Sequence, residues 1–170
     1  LVLSAVKQDG LSLEYVDESF SCDKEIVLLA VKQAGHSMAY ADKKLKKDRD
    51  FVLQAVRLDG FAIMHVENEF KKDREIVINA VKSRGDSQQF IDESLKEDKE
   101  IALLAVKSSY YSFNSLYPSL KEDEDIFFIA KQGCINYLKK INSEEKKEIF
   151  FKYMDRLLRE DPDIQVYSNE

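Results

Sequence analysis

The sequence is poor in the residues that interrupt regular structure. Its 170 residues include five glycines and two prolines, too few for the many tight turns of an all-β domain. Long apolar runs are also missing. The longest, such as Ile26-Val27-Leu28-Leu29-Ala30-Val31, are closely flanked by charge and fall far short of the roughly 20 residues that a membrane span needs. Cysteine is scarce: Cys22 and Cys134 stand alone, with neither a disulfide framework nor metal-ligand spacing. That suits a soluble protein of a reducing compartment such as the cytoplasm. Positive charge is in deficit, 26 Lys and Arg against 32 Asp and Glu, which argues against nucleic acid as the partner. The balance is uneven along the chain. Residues 26–50 carry six basic residues against three acids, and residues 1–25 carry two against six. No initiating Met and no signal peptide opens the chain at Leu1-Val2-Leu3, so the expectation is a piece of a longer protein.

What the sequence does contain is a repeat, the first thing to look for because it decides the fold. Ala5-Val6-Lys7, Ala30-Val31-Lys32, Ala55-Val56-Arg57, Ala80-Val81-Lys82 and Ala105-Val106-Lys107 recur every 25 residues without a slip. Gly10, Gly35, Gly60 and Gly85 form a second column, broken by Tyr110. Phe20, Leu45, Phe70, Leu95 and Leu120 form a third, and Asp23, Asp48, Asp73, Asp98 and Asp123 a fourth. A sixth copy starts at Ile126 and loses register by Gly133.

Each unit reads as helix, glycine turn, shorter helix and loop. In the second, Asp23 is placed to cap a helix from about Lys24 to Gln33, Glu25 favours the helix dipole, and Gly35 ends the helix in the left-handed conformation. Ser37 then caps a second helix of two turns, with Met38, Ala41 and Leu45 on one face. The first helix is apolar nearly all round and must be covered by its own short helix and the units on either side. The fold class expected is all-α: an α-solenoid of two-helix repeats over residues 1–140, a C-terminal capping helix over 141–160 and a loose polar tail over 161–170. The capping helix runs as one piece from Ser143 to Arg159, with Ile149, Phe150, Tyr153, Met154, Leu157 and Leu158 on its apolar side.

The run Asp23-Lys24-Glu25-Ile26-Val27-Leu28-Leu29-Ala30-Val31-Lys32-Gln33-Ala34-Gly35 and its copies resemble the tandem repeats of domain-of-unknown-function family 4116, over residues 1 to about 130. The resemblance implies multi-copy arrays in large proteins of protists and intracellular bacteria, some of them secreted. It implies no activity and no active site.

Candidate sites must therefore come from the residues themselves. With the first helices covered on most sides, their open stripe holds Lys7, Lys32, Arg57, Lys82 and Lys107. A cation in a helix's last turn offsets the dipole, and a row of them also makes a basic ladder for an acidic partner. Leu29, Leu58 and Leu104 share that stripe, either as partner anchors or as residues covered by neighbouring units. Tyr110, Tyr111 and Tyr117 crowd the irregular fifth unit, as a binding hot spot or as filler where the array meets its end, and Pro118 shortens or restarts the helix there. His36 and His65 occupy different columns, and His65 replaces the aromatic of Tyr15, Tyr40 and Phe90, which marks it as a core or boundary residue. Neither a Gly-rich phosphate loop, a His-Glu-x-x-His motif nor a Ser-His-Asp order is present. The expectation is a protein that is not an enzyme, has no cofactor or metal, and acts as a scaffold for a protein partner. The alternative is a targeting or regulatory arm on a catalytic domain elsewhere in a longer chain.

Overall fold

A computed structural model describes residues 2–168; the expectations for Leu1 and for Asn169 and Glu170 lie outside the described residues. Among those residues every regular element is helical, and no helix is long and apolar enough to cross a membrane. The 25-residue unit is built three-dimensionally as the columns require. Asp23 accepts hydrogen bonds from the amides of Glu25 at 2.9 Å and Ile26 at 3.2 Å. Asp73, Asp98 and Asp123 repeat that pair of bonds, and Asp48 makes the one to Phe51. Each cap opens a first helix: Lys24–Gln33, Arg49–Leu58, Arg74–Ser83 and Lys99–Ser108 in units two to five. The same four positions are buried in each, for example Phe51, Val52, Ala55 and Val56. The first helices stack in one layer and the segments that follow them stack in a second, an α-solenoid that continues through two adjoining hydrophobic cores.

The second layer differs from the expected two-turn helix. After an extended residue at position 34 the chain winds as a 3-10 helix over Gly35–Tyr40, with counterparts Gly10–Tyr15, Gly60–His65, Gly85–Phe90 and Tyr110–Ser115. Three residues per turn bring every third side chain to one face, so Gly35, Met38 and Ala41 are buried together, as are Gly60, Ile63 and Val66. Ala41 is extended and Asp42 caps a new one-turn helix, Lys43–Lys46, through the amide of Lys44 at 2.8 Å. Leu45 thus reaches the core from a separate element. Ser37 caps nothing: its hydroxyl is buried with no partner among the protein atoms, and the residue before the 3-10 helix takes that role where it is an aspartate, as Asp59 does for Phe61.

The turn glycines also have a different cause from the one expected. No described residue has a positive φ, so none of them serves as a left-handed terminator. What they allow is close approach. A Cβ on Gly10, Gly60 or Gly85 would sit well inside 3.0 Å of the carbonyl oxygen of Ala30, Ala80 or Ala105 in the next unit. At these three positions the glycine and alanine columns are thus the two sides of one contact between backbones, whereas Gly35 faces the Asp59 carboxylate and the Ala62 amide.

Ion pairs tie each unit to the next. Lys24 meets Asp48 at 2.6 Å, Arg49 meets Asp73 and Glu75 at 2.7 Å each, Arg74 meets Asp98 and Glu100, and Lys99 meets Asp123 and Asp125. In every case the first residue of one helix binds the capping aspartate of the following helix. Unit six carries Glu124 at that place, and Lys131, about two turns further along, supplies the charge to Asp161 and Asp163 at 3.3 and 3.0 Å.

The end of the array is an enlarged repeat. Its first helix runs on through Gly133 from Glu124 to Leu138, and the single helix expected over Ser143–Arg159 is two, Glu144–Tyr153 and Arg156–Arg159. Met154 is extended and Asp155 caps Leu157 at 2.9 Å, which reproduces Ala41, Asp42 and Leu45 in the order Met154, Asp155 and Leu158. These stand 113 residues on, 13 more than four periods. The tail is ordered over its described part: Asp161 caps a turn over Pro162–Gln165, and Ile164 is fully buried. Of the expected apolar side, Phe150, Met154 and Leu158 are buried, while Ile149, Tyr153 and Leu157 are exposed.

Candidate functional site

Two outer faces are open, one on each layer. On the first-helix layer Lys7, Lys32, Arg57, Lys82 and Lys107 all project outward in one stripe. Arg57 is held by its neighbour unit, donating to Asn79 Oδ1 at 3.1 Å beside Glu75 at 3.8 Å; the four lysines form no ion pair among the described residues. Leu29 and Leu104 are half-buried against the main core, which leaves Leu58, 42% exposed, as the apolar member of the stripe open to a partner. The adjoining column is partly consumed by packing. Ser83 Oγ accepts from the amide of Gly60 at 3.2 Å and Ser108 Oγ from that of Gly85 at 3.1 Å.

The 3-10 layer has a richer outer face. Two columns meet there: Leu11, His36, Phe61, Asp86 and Tyr111 in one, Tyr15, Tyr40, His65, Phe90 and Ser115 in the other. His36 stacks on Phe61 with centroids 5.5 Å apart at 17°, and Phe61 meets the edge of Phe90 at 6.2 Å. The Arg84 guanidinium covers Phe61 and binds the buried carboxylate of Asp59 at 3.1 Å. His36 Nδ1 and His65 Nε2 lie 3.4 Å apart, so the two histidines that sequence columns separate are brought together across a unit boundary. Half-burial lowers the His65 pKa, and the charges of His36, Lys46 and Lys71 lower it further. At the other end the Glu14 carboxylate raises the phenols of Tyr15 and Tyr40.

Sequence reasoning left the aromatic column as core or boundary; Tyr40, His65 and Phe90 are half-buried and Tyr15 is exposed, and the face they form with the His36 column went unrecognised. The available signal was the spacing of Gly35, Met38 and Ala41: a repeat of three buries that set and turns the residues between them outward.

The tyrosines of unit five divide. Tyr110 and Tyr111 are 4.6 Å apart, Tyr110 is 5.6 Å from Tyr137, and Tyr137 is 4.9 Å from Phe150. They fill the junction with the enlarged sixth unit, and burial pushes the Tyr110 phenol up. Where Tyr110 replaces the turn glycine, Gly133 faces it; a Cβ there would lie 2.7 Å from that of Tyr110. Beneath them the buried thiol of Cys134 is pushed up to about 12. Tyr117 stands apart, donating its hydroxyl to Glu93 of unit four, and Pro118 restarts the chain as the first residue of Pro118–Lys121. Among the described residues no three or more His, Cys, Asp or Glu side chains are grouped to hold a metal.

The family model described as domain of unknown function (DUF4116) matches residues 1–46, 48–96 and 73–121. Each match spans about two of the 25-residue units, and the last two overlap by one. No curated protein and no solved structure matches the chain.

Proposed function

We propose that this chain, which belongs to the DUF4116 family, is a non-catalytic scaffold for protein–protein interaction and that its partner lies on the outer face of the 3-10 layer. The observation that carries this reading is the division of labour between columns. The repeated residues are consumed between units: alanine against glycine, aspartate as cap and ion-pair acceptor, valine in the core. The residues that change from unit to unit face outward, and on the 3-10 layer they are aromatic and histidine rings already held in place by one another. Preorganised aromatic surface is what interface hot spots are made of, because little side-chain freedom is lost on binding. The lysine stripe with Leu58 is the second face, and its cations have a structural use in the last turn of each helix.

Cross-linking mass spectrometry on captured complexes tests the assignment. Three chains are compared: the parent, a Tyr15→Ser/Phe61→Ser variant and a Lys32→Glu/Arg57→Glu/Lys82→Glu variant, each beside its thermal melt. The first variant is expected to lose the partners that cross-link to the parent while remaining folded. Loss in the second variant alone moves the site to the lysine stripe. Retention of all partners by both refutes the assignment to either outer face, and a parent chain that captures no partner refutes the scaffold reading.

A further inference from the structure

The edge formed by the short segments of successive units does not share the acidic character of the whole chain. Unit one presents Asp17 and Glu18 there, and units four and five mix Glu93, Glu97 and Glu122 with Lys96 and Lys121. The lysines of those later units are engaged, Lys96 by Glu93 at 2.7 Å and Lys121 by Asp155 at 2.5 Å. Unit two instead presents Lys43, Lys44, Lys46 and Lys47 beside Asp42, and unit three adds Lys71 beside Glu67 and Glu69. None of these five lysines forms an ion pair among the described residues. Lys46 Nζ donates to the backbone carbonyl of Ala39, with Asp42 and Glu67 the acids in its surroundings and Lys43 the opposing cation. Beside this edge lies the stacked part of the 3-10 face: His36 on Phe61, His65 against His36, with Tyr40, Met64 and Phe90 half-buried around them. Lys72 of unit three is paired with Asp92 at 3.7 Å, so the unneutralised basic rim belongs chiefly to unit two, four lysines beside Asp42, next to an apolar floor in a chain whose net charge is −6.

We infer that the edge of units two and three docks an acidic, extended peptide segment of a protein partner, its apolar side chains on the His36–Phe61 stack and its carboxylates along Lys43, Lys44, Lys47 and Lys71. The inference rests on the scaffold reading and gives that face a partner chemistry. Two units at about 10 Å each match about six extended residues at about 3.3 Å each. Nucleic acid fits less well, since Glu14 and Asp86 bound the patch on either side along the same face and a phosphate backbone needs a continuous basic track. Acidic ligands also couple to the imidazoles. The groups facing His65 are His36 from the 3-10 helix of unit two, Lys46 from its short helix and Lys71 from unit three, all cationic when charged. A carboxylate placed among them favours the protonated ring of His65, so binding takes up protons and strengthens as pH falls from 8 to 6. A tenfold rise in the proton affinity of a single ring tightens binding by about tenfold.

The test uses a fluorescent ten-residue peptide in which glutamates flank a central Leu-Phe pair, its glutamine counterpart and a ten-nucleotide single strand, with anisotropy read at pH 6 and pH 8. Saturable binding of the glutamate peptide is expected, at least tenfold tighter than the glutamine peptide and tighter at pH 6. Lys43→Glu/Lys44→Glu/Lys47→Glu should weaken it at least tenfold with an unchanged melt, and His65→Gln should flatten the pH dependence. No binding of the glutamate peptide at pH 6, equal binding by the charge-reversed chain, or preference for the single strand each overturns the inference. Cellular partners that survive this reversal but are lost with Tyr15→Ser/Phe61→Ser leave the scaffold reading standing without it.

Discussion

Replacing Gly60 by alanine separates two explanations of a recurring turn glycine that a sequence cannot distinguish. The backbone at Gly60 has a negative φ, where alanine is ordinarily favourable by about 0.4–1 kcal/mol because it narrows the unfolded ensemble. The added methyl would, however, fall well inside 3.0 Å of the Ala80 carbonyl oxygen, with the Ala80 carbonyl carbon and the Arg84 Cβ at 3.0 Å. All three are backbone or backbone-attached atoms, and no rotamer change removes them. Units three and four must separate, which also stretches the 3.2 Å bond from Gly60 N to Ser83 Oγ. Overpacking costs about 1–3 kcal/mol and the strained hydrogen bond about 1 kcal/mol. The expected net loss is about 2 kcal/mol, or a fall in melting temperature of about 4–8 °C for a chain of this size. Urea and thermal melts followed by far-UV circular dichroism measure it. Gly133→Ala is the control: its methyl meets the side chain of Tyr110, and the gain of about 1 kcal/mol from helix propensity should keep it within about 1 kcal/mol of the parent. A Gly60→Ala chain as stable as the parent would refute the close-approach argument.

Stability should decline in acid. Lys24, Arg49 and Lys99 hold the carboxyls of Asp48, Asp73 and Asp123 below the usual carboxylate range, so their contribution is complete above the unfolded value near 3.9 and is lost as pH falls through the depressed folded values; melts from pH 6 to 2.5 should show this, with a smaller drop in Arg49→Gln. Gln88 occupies a column that is Met38, Ile63 and Phe113 elsewhere, buried and bonded to Ser115 Oγ at 2.8 Å. Gln88→Met should raise stability by about 1 kcal/mol in urea, and a destabilised variant would show that the Ser115 bond outweighs the burial of polar atoms. A thiol reagent should modify one cysteine, the exposed Cys22, in the native chain and two after denaturation, because Cys134 is buried with its thiol pushed up to about 12; two rapid reactions in the native state would place Cys134 at the surface.

The first-helix layer was fully legible in the sequence because its columns obey one period and one physical role each. Asp caps, Ala approaches and Val fills, and each residue type is specific to its task. The second layer was legible in composition but not in geometry. Met38, Ala41 and Leu45 are spaced three and then four apart, which suits one α-helix as well as a 3-10 helix followed by a separate turn, and only the extended Ala41 decides between them. That difference decides between the core and boundary positions left open for Tyr40, His65 and Phe90 and places them on a half-exposed face. The cations at Lys24, Arg49, Arg74 and Lys99 did form a visible column, yet their partners lie 24 to 26 residues away and emerge only when the units are stacked. At the end of the array the 13-residue enlargement hid the recurrence of Asp155, Leu158, Asp161 and Ile164 behind what read as one amphipathic helix.

The chain of cation and cap has a consequence for how the molecule comes apart. Each helix start in units three to six is secured by its own aspartate and by a cation from the preceding unit. A unit therefore loses part of its nucleus when its predecessor melts, and in the opposite sense Arg84 of unit four holds Asp59, the cap of the 3-10 helix of unit three, at 3.1 Å. Neighbour coupling in stacked repeats ordinarily lets disorder enter from either end. Here the ion pairs supply part of that coupling: Lys24–Asp48, Arg49–Asp73, Arg74–Asp98 and Lys99–Asp123 each break whichever of the two units they join opens first. Amide exchange should therefore show protection rising inward from both ends, and Arg74→Gln, which removes the pair joining units four and five, should lower it on both sides of that boundary.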